Sequence, residues 1–446
     1  MKKSLWLALN LVLVVAFALA ACGPAATTQA PQPTEAPQAT DAPQATEAPQ
    51  ATEAAQATEA PTEAAAGEPV TLVIWGQWDD RYFEAIQATF DEYTVLHPNV
   101  TIQFDRPQDV SNALNVAIPA GEGPDIIGWA NDQIGAQALS GNIVALNDYG
   151  LDMAFLESTY EPAAVNGVVW QDQIWGLPET QEGIAFVYNK DLVTEEFLPS
   201  DPSDFDDLLA KAQAFAEANP GKFLVCNQGL GNPDAYHAAP VYFGFGVPTY
   251  VDDEGNVYLN TPEAVAAGNW LVEFSAVAPA ETSHEICQTM LVEGQAGAWW
   301  TGPWAIADIE AAGVNYGILP MGKPFVGIKT VMLSKNAVDR GNAEAAVEFM
   351  KYYTSPEVQA KLAEINKTIP AQTAALAVPE VAALETLAGF GASLNLGVPM
   401  ANTPFASAQW GPVGDATTAI WSGAQAPQEA LDAAQATAEE AIAQMQ

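Results

Sequence analysis

The sequence predicts an α/β body of two lobes, and three observations carry that prediction. After a proline-rich leader about 380 residues remain, more than one ordinary hydrophobic core holds. Hydrophobic residues make up 49% of the chain and charged ones only 15%, which supplies apolar surface for large cores. The body also alternates strand-like and helix-like runs, first as β-α-β-α-β and again in its second half.

The chain opens with Lys2 and Lys3, followed by an apolar stretch from Leu5 to Leu19 that is too short for a comfortable membrane span. Leu19-Ala20-Ala21-Cys22 then resembles a lipobox, where small residues let a peptidase cut before a diacylglyceryl cysteine. Residues 1–21 read as a lipoprotein signal peptide and Cys22 as the lipidated first residue of an exported chain. The alternative is a conventional secretory signal with an incidental cysteine, and it too takes the protein out of the cytoplasm. From Gly23 to Gly67 the sequence is almost only Ala, Pro, Gln, Thr and Glu, with a six-residue period from Ala36 to Glu59. Without aromatic or branched aliphatic residues nothing offsets the entropy of ordering it, so residues 22–67 read as a disordered tether. At about 3.1 Å per residue its extended reach is on the order of 100 Å.

The body begins with Thr71-Leu72-Val73-Ile74-Trp75, a continuous apolar run expected of a strand buried on both faces. Phe83, Ile86, Phe90 and Tyr93 then follow helical spacing, and His97-Pro98 ends that helix. Val100, Ile102 and Phe104 alternate as a strand, a helix runs from Asp109 to Ile118 before Pro119 stops it, and Asp125-Ile126-Ile127 starts a third strand. The order predicts a parallel sheet covered by helices. In the second half, Asp204 to Asn219 reads as a helix and Phe223-Leu224-Val225 as a strand, while Thr261-Pro262 and Ser355-Pro356 are capped helix starts. The Ala-rich segment from Pro427 to Gln446 closes the chain as an amphipathic helix.

Charge and motifs exclude several functions. Fourteen basic against 55 acidic side chains give a net charge of -41, which opposes nucleic-acid binding and adsorption on anionic lipid. No stretch after Cys22 is long enough to cross a bilayer, so any anchor is lipid alone. His97, His237 and His284 have no partner at metal-ligand spacing, so no metal is expected, and the absence of a P-loop, a nucleophile elbow or a full dinucleotide fingerprint leaves no cofactor and no catalytic residue to name. Cys226 and Cys287 invite a disulfide in an exported chain, with two buried thiols as the alternative.

What stands out is tryptophan beside carboxylate: Trp78-Asp79-Asp80, Trp129 with Asp132, Glu182, Trp304 after Gly302-Pro303, and Trp410. Such pairs suit sugars, whose C–H faces stack on indole and whose hydroxyls donate to ionised carboxylates. Strand ends in an α/β sheet are where ligands lodge. Trp75, Trp170, Trp175 and Trp270 lie in apolar or periodic runs and read as core, and Asp79 and Asp80 could equally cap the following helix.

The body also resembles the maltose- and maltodextrin-binding proteins of ABC importers along nearly its whole length after the tether. Gly123-Pro124-Asp125-Ile126-Ile127-Gly128-Trp129-Ala130-Asn131-Asp132 is similar to that family's G-P-D-I-I-x-W-A-x-D motif. Val187-Tyr188-Asn189-Lys190-Asp191-Leu192 and Thr301-Gly302-Pro303-Trp304-Ala305 resemble its Y-N-K-D-L and N-G-P-W-A motifs, and Lys323-Pro324-Phe325-Val326-Gly327 follows in order. The resemblance implies a two-lobed, type II periplasmic-binding-protein-like fold with a ligand cleft and crossing hinge strands. It places residues 68–181 and 326–374 in one lobe and 182–325 and 375–446 in the other, with crossings near Thr180 to Ala185, Phe325 to Gly327 and Ile369 to Ala374. The implied ligand-binding residues are Gln77, Asp79, Asp80, Arg81, Trp129, Asp132, Glu182, Asp234, Tyr236, Trp304, Met400 and Trp410. Asp80, Gln133 and Gly414 stand where the family has basic residues, Arg81 being the candidate replacement for the first.

The function implied is a lipid-anchored, monomeric receptor that captures malto-oligosaccharide or a related sugar and hands it to ABC permease subunits. Two other classes stay open at this point: a glycoside hydrolase using the cleft carboxylates, and a surface adhesin that uses the tether for reach.

Overall fold

A computed structural model describes residues 68–78, 80–107 and 110–445, with Asp80 and Ser111 given by their backbone alone. Cys22, the signal peptide, the tether and Asp79 lie outside the described residues. The described residues belong to one compact unit.

Thirteen described strands are β1 (Val70–Gly76), β2 (Val100–Asp105), β3 (Ile126–Ala130), β4 (Val169–Trp170), β5 (Gln173–Ile174), β6 (Leu177–Glu182), β7 (Ala185–Asn189), β8 (Phe223–Cys226), β9 (Ala296–Thr301), β10 (Tyr316–Leu319), β11 (Phe325–Leu333), β12 (Ile369–Pro370) and β13 (Val398–Pro399). The larger sheet runs β12-β6-β11-β3-β1-β2, with β13 beside β11, and the smaller runs β10-β7-β9-β8. β1 pairs parallel with β2 and β3, as the β-α-β-α-β order requires. The sheet is not parallel throughout, because β11 runs antiparallel to both β3 and β6. The reason is topological: β11 enters from the far half of the chain rather than through a local helical crossover.

The helix after β1 spans Asp80–Leu96 and buries Ile86, Phe90 and Tyr93 on the face their spacing marks out. Its successor does not stop at Pro119. It runs Val110–Ala120 and ends at Gly121, whose φ of 79° turns the chain out left-handed, so proline costs only one bond in the last turn. Asp204 accepts from the Asp207 N–H at 2.9 Å and opens the helix Phe205–Ala218. Thr261 and Ser355 cap helices at Pro262 and Pro356 in the same way, and the last helix, Pro427–Ala443, buries Leu431, Ala434 and Ile442.

Each sheet has its own core. One core gathers residues between Leu72 and Leu177 together with Ile328 to Ala371, including the fully buried Ile74, Trp78 and Phe90. A second lies on one face of the smaller sheet, where Phe186 and Trp300 meet Phe243 and Phe325. A third lies on its other face, where Val187 and Trp299 meet Cys226, Cys287 and Phe390. The period of two along β7 and β9 thus feeds both faces, which is why these strands read as continuous apolar runs. Cys226 and Cys287 are joined by a disulfide with their Cα atoms 5.3 Å apart, tying β8 to the helix His284–Val292.

Two residues, Gly183 and Ile184, link β6 of the larger sheet to β7 of the smaller. A side chain at Gly183 would meet Leu394 at 2.6 Å and the Phe325 carbonyl at 2.8 Å, so the close approach of backbones there requires glycine.

Candidate functional site

The turn after β3 reaches from the first core to the second. Asn131 is fully buried; its Nδ2 donates to the Met400 carbonyl at 2.9 Å and its Oδ1 accepts from the Ile328 N–H. Next to it, Asp132 accepts from the Trp410 indole at 2.9 Å and from the Gln133 amide at 2.8 Å. Asp132 is 5% exposed, and burial pushes its carboxyl up to about 6 although the bonds from Gln133 and Trp410 pull the other way. Trp410 opens the helix Trp410–Trp421 and packs edge-on against Phe325, 5.7 Å between ring centres.

Phe325 continues a line of rings. Tyr236 stacks on it at 6.0 Å, and Trp304 lies 6.2 Å from Tyr236. Trp304 sits half-buried after β9 and packs against residues of all three cores. The Tyr236 hydroxyl donates to the Glu182 carbonyl at 3.2 Å, which brings the end of β6 into the same group. Trp129, at the end of β3, is half-buried against the first core. Gln77 is exposed, and its carbonyl accepts from Lys329 at 3.2 Å.

Several residues picked from sequence are occupied otherwise. Asp234 caps the helix Ala235–Gly244 and lies 2.7 Å from Nδ1 of His237, off the axis of a hydrogen bond. Burial alone would raise its carboxyl, but the His237 side chain and N–H and the Gln228 amide bring it down to about 2. Arg81 is exposed and pairs with Asp308 at 3.1 Å, so it does not supply a buried basic contact. Trp78, which sequence placed beside the acidic pair, turns inward and is buried in the first core, its indole bonded to Glu179 at 3.1 Å.

That glutamate and Lys329 were not legible as site residues. A bulge between Lys329 and Thr330 leaves Glu179 without a partner opposite it on β11. The kink aims its carboxylate at the side chains of Trp78, Tyr82 and Tyr353, and the residue is 2% exposed. Burial raises Glu179 to about 7 despite the nearby Lys329 charge and the bonds from Tyr353 and Trp78. Lys329 pairs in register with Thr180, so it shares a face with Glu182, and its Nζ lies 3.9 Å from Glu182 Oε1. The visible signal was a lysine inside the otherwise apolar run of β11.

A cavity of about 530 Å³ lies beside the same turn, lined by Asn131, Asn166, Asp252, Met400 and Asn402 among others. Trp129, Asp132, Glu182, Tyr236, Trp304 and Trp410 do not line it, so it is separate from the ring-and-carboxylate group. Its Asn131 and Asn402 side chains are already bonded within the protein.

Residues 88–389 match the family described as bacterial extracellular solute-binding protein. The maltotriose-binding protein of Pyrococcus abyssi is 30% identical over 357 residues, which is 77% of this chain and 75% of that protein. The galactooligosaccharide-binding protein of Bacillus subtilis is 26% identical over 72% of this chain and 77% of its own. Among solved structures, the maltose/maltodextrin-binding domain from Bdellovibrio bacteriovorus bound to maltotriose shares the fold at a TM-score of 0.75 and 23% identity, covering 84% of this chain and 100% of that one. The fold is therefore the two-lobed, type II α/β arrangement anticipated from the motifs. On its matched length and its relatives, this chain belongs to the bacterial extracellular solute-binding proteins.

Proposed function

We propose that the protein captures a malto-oligosaccharide or closely related sugar between its two sheets and delivers it to the permease of an ABC importer. The observation that carries the reading is the run of rings Trp304, Tyr236, Phe325 and Trp410, joined at one end to the Asp132 carboxylate and through Tyr236 to the main-chain carbonyl of Glu182, at the junction of the cores. Indole and phenol faces offer stacking surface to pyranose C–H groups, and carboxylates accept from hydroxyls. The relatives named for maltotriose and galactooligosaccharide binding favour an oligosaccharide over a single ring. Gln77, Asp79, Asp80, Arg81, Trp129, Asp234 and Met400 complete the set of contacts implied by the family motifs.

In this reading the lobes are residues 68–181 with 326–374 and residues 182–325 with 375–446. They close on the sugar about crossings at Gly183–Ile184, at Phe325–Gly327 and near Ile369, driven by contacts made only when closed. Cys22 carries the lipid, and residues 22–67 let a monomeric receptor search near its permease.

Titrating maltose, maltotriose and maltotetraose into the isolated body while following tryptophan fluorescence and heat tests the ligand class. Saturable binding of at least one is expected; no binding across the series overturns it. Prolonged incubation with maltotetraose should release no new reducing ends, and their release would replace binding with hydrolysis. For the anchor, Cys22→Ser should free the full chain from the membrane fraction while leaving the sugar affinity of the body unchanged.

A further inference from the structure

Among the described residues, Lys329 is the one lysine or arginine less than a tenth exposed, at 8%. An ammonium has three N–H donors. Lys329 uses one in a protein hydrogen bond, to the Gln77 carbonyl at 3.2 Å, while its charge rests over the Tyr82 ring at 4.9 Å. Glu182 Oε1 stands 3.9 Å away, beyond hydrogen-bond range, and is itself held by the Thr180 hydroxyl at 3.0 Å. A buried ammonium and a half-buried carboxylate at that spacing can be bridged by a single oxygen about 2.8 Å from each.

We propose that a sugar hydroxyl of the bound oligosaccharide occupies this position, accepting from Lys329 Nζ and donating to Glu182 Oε1. The inference rests on the sugar-binding reading above and names a specificity contact within it. Arg81, the basic residue nearest in sequence to the acidic pair, is committed to Asp308. Lys329 supplies a cation from beneath instead, on β11 rather than from a loop or helix. A neutral hydroxyl suits the place because the Glu182 carboxylate beside the ammonium repels an anionic sugar group. One hydroxyl acting as donor and acceptor at once also reads stereochemistry: an epimer with that group inverted cannot reach both partners.

The test uses a panel of monodeoxy maltotrioses against the wild-type body, Lys329→Met and Glu182→Gln, with circular dichroism and thermal melts showing that each variant folds. Wild-type binding of maltotriose itself comes first, and its absence sinks the functional reading rather than this contact. Given that binding, Lys329→Met should weaken maltotriose about ten- to a hundredfold, the range of a hydrogen bond to a charged group. One deoxy analogue should lose a similar factor on the wild type yet bind Lys329→Met no worse than maltotriose does. If Lys329→Met folds and keeps wild-type affinity, or if every analogue keeps its full penalty on the variant, the contact is overturned. The wild-type panel alone keeps the inference open to failure if the variant does not fold: no analogue weakened tenfold means no such hydroxyl.

Discussion

The indole N–H of Trp410 donates to Asp132 across 2.9 Å, and with it a helix that packs on the second core holds a carboxylate that belongs to the first. One hydrogen bond thus spans the junction at which the ligand is proposed to sit. Because burial raises Asp132 to about 6, the acid changes charge within the ordinary working range of pH. An ionised carboxylate accepts from sugar hydroxyls more strongly than a protonated one. Sugar affinity should therefore fall as pH drops from 7.5 to 5, and Asp132→Asn should bind several-fold more weakly at pH 7.5 with a flatter profile. Calorimetry across that range checks it; an unchanged profile in the variant assigns the dependence to another group.

Stability carries its own pH signature. Asp132 and Glu179 titrate near 6 and 7 in the folded protein against ordinary values of 3.8 and 4.5, so the folded state holds these protons more tightly than the unfolded chain. Their contribution is fully present below about pH 4 and is lost as pH rises through 6 to 7. Asp234, lowered to about 2, has the opposite sign: its contribution is present above about pH 4 and is lost as pH falls toward 2. The thermal midpoint should peak between about pH 4 and 6 and decline by several degrees toward pH 8. Glu179→Gln keeps an acceptor for Tyr82 and Tyr353 and should flatten that decline.

Trp304 touches all three cores, so removing it costs packing as well as any sugar contact. For a half-buried indole, Trp304→Ala should destabilise by about 2 kcal/mol, below the 3–5 kcal/mol typical of fully buried tryptophan. Trp304→Phe should recover most of the stability. If stacking is its role, the phenylalanine variant should also recover part of the sugar affinity that alanine loses, as read by titration.

The bond between Cys226 and Cys287 closes a loop of sequence separation 61. In the chain-entropy account a loop of that size contributes about 4 kcal/mol by restricting the unfolded chain. Replacing both cysteines with alanine should lower the denaturant midpoint clearly and leave sugar affinity nearly unchanged, since the bridge sits in the third core, on the face of the smaller sheet away from Tyr236 and Phe325. Equal losses in both measurements would mean that the bridge shapes the cleft.

Much of this was readable before any coordinates. Apolar runs and proline–cap pairs fixed the strands and helices because those signals are local, as at Thr261-Pro262 and Ser355-Pro356. The antiparallel course of β11 was not readable, since nothing in a nine-residue, mostly apolar strand says which distant strand it joins. Trp78 misled for a related reason: side-chain direction after a strand end depends on what waits inside, here Glu179, whose own position follows from a bulge at Lys329 and Thr330 in the far half of the chain. Arg81 is implied as a ligand contact by the family motifs, yet it pairs with Asp308, which sequence does not place beside it. Buried charge is a three-dimensional property, so Lys329 was the residue least open to sequence reasoning.

Gly183 and Ile184 span at most about 7 Å of chain and carry only four soft torsions between one sheet and the other. In the closure proposed above, a junction that short would act like a pin rather than a leash, letting one half pivot while forbidding it to drift. Little of the binding free energy would then go into ordering a floppy connector, leaving more of it to hold the two halves on what lies between them. At Gly183 the link also tolerates no side chain, since an added Cβ would meet Leu394 and the Phe325 carbonyl, so the pin depends on that one glycine.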